Sequence, residues 1–112
     1  YDEKSANLVA VQALKDDPTI DAFFCASDLM ALGTMKAIKN SGEKIPDDVA
    51  VFGFDGLELD KYVSPSLSTV QQRPYELGRE AGRLIQKLIE PKVPKVPIVH
   101  YVPYKLIERE SS

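Results

Sequence analysis

Ser27, Asp28 and Asp55 are the residues of this chain best placed to do chemistry together. Each follows an apolar run that reads as a strand: Ala22-Phe23-Phe24-Cys25-Ala26 precedes Ser27-Asp28, and the run 49–54 precedes Asp55. Between them lie an amphipathic stretch from 29 to 40, Gly42 as a stop, and the turn Pro46-Asp47-Asp48. Strand, helix, strand with short turns is a βαβ unit, whose two strands run parallel side by side. Both strands then end at one edge of the sheet, where ligands of open α/β sheets bind. A serine and two carboxylates at that edge offer hydrogen bonds to a polar ligand. Catalysis is not expected: the lone histidine, His100, has no clear serine or cysteine partner. Gly-x-Ser-x-Gly, His-Glu-x-x-His and phosphate-cradling glycine loops do not occur.

The elements that must position these residues follow from apolar spacing. Leu8, Val11 and Leu14, with small Ala6, Ala10 and Ala13, predict a first helix ending near Asp16-Asp17-Pro18. The second helix is expected to bury Leu29, Leu32, Met35 and Ile38 and to close at Gly42. The nearly continuous apolar run 49–54 predicts a strand covered on both faces, and Met30, Met35, Phe52 and Phe54 read as core. Residues 57–66 read as irregular and 67–70 as a short strand. Pro74 starts a third helix, where its missing N–H costs nothing. Leu77, Ala81, Leu84, Ile85, Leu88 and Ile89 form its apolar stripe, and Gly78 and Gly82 allow close packing. Residues 92–97 read as a proline-stiffened linker, and 98–108 as one or two terminal strands with an edge or bend at Pro103.

Composition excludes several classes. The 112 residues are 44% hydrophobic and 28% charged, as in an ordinary globular domain. A net charge of -3 argues against this segment gripping a phosphate backbone. The single cysteine, Cys25, excludes an intrachain disulfide framework and reads as a buried, inert thiol. No metal and no cofactor is expected. No apolar run approaches the roughly 20 residues of a membrane span, and no basic leader opens the chain. A doubly wound sheet normally has about five strands or more, whereas this sequence offers two good parallel strands, a short one and a terminal pair. The first helix, moreover, has no strand before it. The layout is therefore expected to be a segment of a larger two-lobed protein.

Three blocks carry a resemblance. Phe24-Cys25-Ala26-Ser27-Asp28-Leu29-Met30-Ala31-Leu32-Gly33-Thr34-Met35-Lys36-Ala37-Ile38, then Ile45-Pro46-Asp47-Asp48-Val49-Ala50-Val51-Phe52-Gly53-Phe54-Asp55, then Ser64-Pro65-Ser66-Leu67-Ser68-Thr69-Val70-Gln71-Gln72 resemble, in order and without gaps, the corresponding blocks of the lactose-repressor/galactose-repressor family of bacterial transcription regulators. The resemblance covers nearly the whole chain and the last third of a full-length member. It implies an α/β fold of three layers, α/β/α, around a mainly parallel sheet of the periplasmic-binding-protein type, here an incomplete second lobe. Residues 1–70 would supply second-lobe βα units, 71–92 a helix packed in the first lobe, and 93–110 terminal strands returning to the second.

The same resemblance implies that a small effector, a sugar or sugar derivative, binds between the lobes. Asp55 matches an aspartate that accepts from effector hydroxyls; an ionised carboxylate has two oxygens for two adjacent hydroxyls. Ser27 matches a position that is often asparagine, a longer donor and acceptor, and also suits a helix cap. Gln72 matches a polar side chain at a lobe crossing, and Tyr1 a ring that stacks on a sugar face. Asp28 is expected to cap the second helix at the positive end of its dipole. Leu32 and Tyr62 fall where family members dimerise. The implied protein is a cytoplasmic homodimer that meets DNA only through a headpiece this chain lacks and has no membrane contact. The alternative is a fragment of a periplasmic sugar-binding protein of transport, whose blocks are alike and which Gly56 after Asp55 slightly favours. Ile45-Pro46-Asp47-Asp48 and Ser64-Pro65 favour the regulator.

Overall fold

A computed structural model describes residues 2–90 and 97–112. They divide into two units, one of residues 1–71 with 105–112 and one of residues 72–104. The first unit holds α1 (Glu3–Asp16), β1 (Ala22–Phe24), α2 (Asp28–Ser41), β2 (Ala50–Asp55), a short 3-10 helix (Glu58–Lys61), β3 (Ser68–Gln71) and β4 (Lys105–Ile107). Its sheet has the order β1-β2-β3-β4. β1 and β3 both pair parallel with β2, in the registers Phe23 with Val51 and Gly53 with Thr69. β4 pairs antiparallel with β3, Val70 facing Leu106. The α/β class, the βαβ unit and the shared carboxyl edge follow the sequence. The terminal region adds one three-residue strand, and the described residues 97–104 hold none.

Both helices of this unit start on capped N–H groups. Asp2 caps α1 by accepting from Ser5 N–H at 2.8 Å, and Ser27 caps α2 by accepting from Met30 N–H at 3.2 Å. Asp28, expected as that cap, is instead the first helical residue, and its side chain turns into the protein. Gly42 closes α2 with φ 89°, as its sequence position predicts.

Packing selects the inward face of α1 and corrects one residue of the face expected for α2. On α1 the buried residues are Ala6 and Ala10, while Leu8 is 63% exposed. Small residues face inward because α1 lies nearly backbone to backbone against α2. A Cβ built at Gly33 would sit 2.0 Å from the Glu3 carbonyl oxygen, and Asn7 donates to the Gly33 carbonyl at 3.0 Å. On α2, Ala31, Met35 and Ile38 are buried and Leu29 is not. The core gathers Cys25, Ala31, Met35, Ile38, Val49, Val51 and Leu67, with Met30 and Leu32 packed against it.

The sheet's two faces differ. Val51 and Gly53 are buried, whereas Phe52 and Phe54, on the alternate face, are only half-buried. Phe24 shares that second face and is largely exposed, its ring 6.3 Å from that of Phe52. The expected burial of β2 on both faces therefore does not hold for Phe52 and Phe54 in this unit. The last residues lock the sheet from below: Ser111 Oγ donates to the Val51 carbonyl at 2.6 Å and accepts from Ser68 N–H at 2.8 Å.

The second unit contains α3 (Pro74–Ile89), with Pro74 in its first turn. Its apolar stripe is exposed except at half-buried Leu84: no α3 residue is buried, and no atom lies within 4 Å of a Cβ built at Gly78 or Gly82. Surface ion pairs run along it, Arg73 with Glu76 and Arg83 with Glu80. The linker expected over 92–97 lies, but for Pro97, outside the described residues.

Candidate functional site

The carboxyl edge of the sheet is built around Asp28. Its side chain is fully buried, and it holds three donors. Oδ2 accepts from the N–H groups of Gly56 at 2.7 Å and Leu57 at 2.9 Å. Oδ1 accepts from Thr69 Oγ1 at 2.6 Å. One carboxylate of α2 thus fastens the end of β2 and the middle of β3. It can lie this close because Gly53 has no side chain: a Cβ there would be 2.3 Å from Asp28 Oδ1. Gly56 has φ 80°, and a Cβ there would meet Gln71 Cα at 2.7 Å, so only glycine fits this turn.

Asp55 sits just before that turn, half-buried and in register with Gln71 of β3. Its φ is 132°, a region that a non-glycine residue occupies at a cost of about 1–3 kcal/mol. Pairing of β2 with β3 on one side and the Asp28 grip on Gly56 and Leu57 on the other hold it there. Strain of this kind at an exposed sheet edge is where binding residues are found.

Ser27 stands at the same edge, after β1, with its hydroxyl engaged as the α2 cap. Asp55 and Ser27 therefore share the edge, and Asp28 supports it from beneath. Gln72 opens the second unit and is half-buried. Tyr1 lies outside the described residues. Leu32 is half-buried beside a surface hollow it lines with Met35, Lys39, Val63 and Ser64, and the Lys39 ammonium donates to the Ser64 carbonyl across that hollow. Tyr62 is 77% exposed.

Sequence reasoning missed Thr69, Asp60 and Arg109. Asp60, in the 3-10 helix, is fully buried, and Arg109 Nη1 stands 3.9 Å from its Oδ2. A polar threonine in a short buried strand was the available signal for Thr69. Nothing in the local sequence separates Asp60 from its exposed neighbours Glu58 and Lys61. Among the described residues no group of three or more His, Cys, Asp or Glu could hold a metal ion, and no helix is long and apolar enough to cross a membrane.

The whole chain, residues 1–112, matches the periplasmic binding protein-like domain. It is 43% identical over 107 residues to the ribose operon repressor of Halalkalibacterium halodurans, covering 96% of this chain and 32% of that protein. Among solved structures it is similar to a LacI family transcriptional regulator from Arthrobacter sp. FB24 in complex with lactose, at 35% identity and a TM-score of 0.78, over 98% of this chain and 41% of that one. It is similar also to the Lac repressor dimer bound to operator and the anti-inducer ONPF, at 28% identity and a TM-score of 0.85, over 99% of this chain and 38% of that one. The chain spans about a third of the length of the ribose operon repressor.

Proposed function

The chain belongs to the periplasmic binding protein-like domain family, in the form carried by LacI-type regulators, and from that premise we propose that it is the effector-binding part of a transcriptional regulator. The effector is a small polyhydroxylated molecule, a sugar or sugar derivative. Asp55 is the observation that carries this reading: a carboxylate on strained backbone at the sheet edge, fixed by β2–β3 pairing on one side and by the Asp28 hold on Gly56 on the other. Its two oxygens suit adjacent hydroxyls, and each charge-assisted hydrogen bond is worth about 1.5–3 kcal/mol. Ser27 and Gln72 supply further polar contacts, and Tyr1 a ring for a sugar face. The relatives named above are regulators, which favours this reading over a transport-type binding protein and over an enzyme.

Mechanism follows from differential binding. A ligand that touches two lobes favours the hinge angle in which both contacts form, and shifts the population accordingly. On this reading residues 1–70 and the returning terminal strand build one lobe, and the helix within 71–92 packs in the other. Two copies pair through the surface of Leu32 and Tyr62, and the hinge angle sets the spacing of DNA-binding headpieces outside this chain. The intact regulator works in the cytoplasm. Calorimetric titration of the full-length regulator against a panel of mono- and disaccharides tests the site. Asp55→Ala is expected to weaken the binding sugar by about tenfold to a hundredfold, with unchanged circular dichroism. An unchanged affinity would refute the role of Asp55.

A further inference from the structure

Asp60 is buried completely and its backbone is tied on both sides. Its N–H donates to the Leu57 carbonyl at 3.2 Å, and its carbonyl accepts from Leu67 N–H at 2.9 Å. Its side chain is not tied: among the described residues neither carboxyl oxygen has a hydrogen-bond partner. Two charged groups from other elements face it. Asp28, from α2, holds the N–H of Leu57, whose carbonyl takes the Asp60 N–H, and its carboxylate acts on the Asp60 carboxyl through a hydrogen bond and its charge. Arg109, from the segment after β4, stands 3.9 Å away, beyond hydrogen-bonding distance, and gives a hydrogen bond to the Leu67 carbonyl instead. On Asp60's own turn, Glu58 and Lys61 pair with each other at the surface.

An ionised carboxyl buried without a hydrogen bond is unfavourable, whereas a protonated one can donate to its neighbour. Burial first, then the hydrogen bond and charge of Asp28, push the Asp60 carboxyl up to about 7, against the pull of Arg109. Two like charges in one buried site cannot both ionise freely.

We propose that a proton carried by Asp60 and donated to Asp28 makes the two side chains a pH-sensitive latch on the turn that carries Asp55. The latch has a direct mechanical link. Leu57 is held at both its backbone groups: its N–H by the Asp28 side chain at 2.9 Å, its carbonyl by the Asp60 backbone N–H at 3.2 Å. With the proton in place, Asp60 O–H donates to Asp28, which keeps its bonds to Gly56, Leu57 and Thr69. When the proton leaves to solvent, two buried anions face a single guanidinium. Their repulsion moves Asp60 and, through Leu57, slackens the turn. The turn is held below about neutral pH and loosens above it. That this bears on ligand binding rests on the effector reading of Asp55; the latch itself does not.

The test uses the ligand-free chain. Carboxyl 13C resonances are followed against pH, with amide hydrogen exchange of Gly56 and Leu57 corrected for base catalysis. Asp60 is expected to titrate near 7 rather than near 3.8. Protection of the two amides is expected to fall about tenfold between about pH 6 and pH 8. Asp60→Asn is expected to hold that protection constant, since its amide donates to Asp28 at every pH. An Asp60 titration in the ordinary carboxylate range overturns the latch, and so does an identical profile in Asp60→Asn. If that variant fails to fold, the wild-type titration decides alone. No ligand is present, so this outcome and the fate of the Asp55 assignment are separable.

Discussion

Asp55 adopts φ 132° next to Gly56 at φ 80°, and both depend on a carboxylate 28 residues away from Gly56 in the chain. The two aspartates of this edge divide the work by burial. Asp28 is sealed in and spends both oxygens on protein donors, while Asp55 lies at the rim. Asp60 adds a titration that reaches the whole fold. Its carboxyl binds a proton more tightly in the folded chain than in the unfolded one. Between the two values the folded state therefore holds more protons, and stability falls as pH rises. Asp2, Asp17 and Glu110 are lowered by hydrogen bonds from Ser5, Thr19 and Ser66, and act oppositely, losing their contribution as pH falls below the usual carboxylate range. Urea unfolding is accordingly expected to show greatest stability near about pH 4 and a decline from there to about pH 7, which Asp60→Asn flattens. A stability that rises from about pH 4 to about pH 7 in the wild type would contradict this.

At the scale of elements, the βαβ unit was legible because apolar residues alternate with turn signals at strand and helix spacing. Ser27-Asp28, Gly42 and Pro74 marked helix ends close to where they occur. What could not be read is which of two adjacent polar residues caps and which turns inward. Serine's short hydroxyl reaches the N–H three residues on, so Ser27 caps; Asp28 then points at donors supplied by β2 and β3, which are distant in sequence. Apolar spacing marked α1 but not which of its apolar residues face inward. Large residues usually mark the buried stripe, but here a close helix pair selects Ala6 and Ala10, with Leu14 against the core. Gly33→Ala tests that contact, since its Cβ would meet backbone that has no flexible end to move. It is expected to cost about 1–3 kcal/mol in urea unfolding and to expose α1 amides to exchange before those of β2. Full stability in that variant would show that α1 is not packed against α2 at Gly33.

Across the whole molecule, the described structure divides unevenly. The first unit has a core built from Val51, Ile38 and Leu67, whereas α3 of the second buries no residue. Phe24 and Leu106, at 69% and 67% exposure, leave a sheet face with apolar side chains in solvent. Local pattern legibly gave the strands, but it carries no information about which surfaces a longer protein would cover. The effector reading concerns that longer protein, since relatives of this chain are about three times its length. The direct measurement is chemical-shift mapping of the proposed full-length regulator across the panel of mono- and disaccharides. Perturbations are expected to concentrate at Ser27, Asp55, Gly56, Leu57 and Gln72. A sugar that binds stoichiometrically while leaving Asp55 and its turn unmoved would overturn the effector role of Asp55.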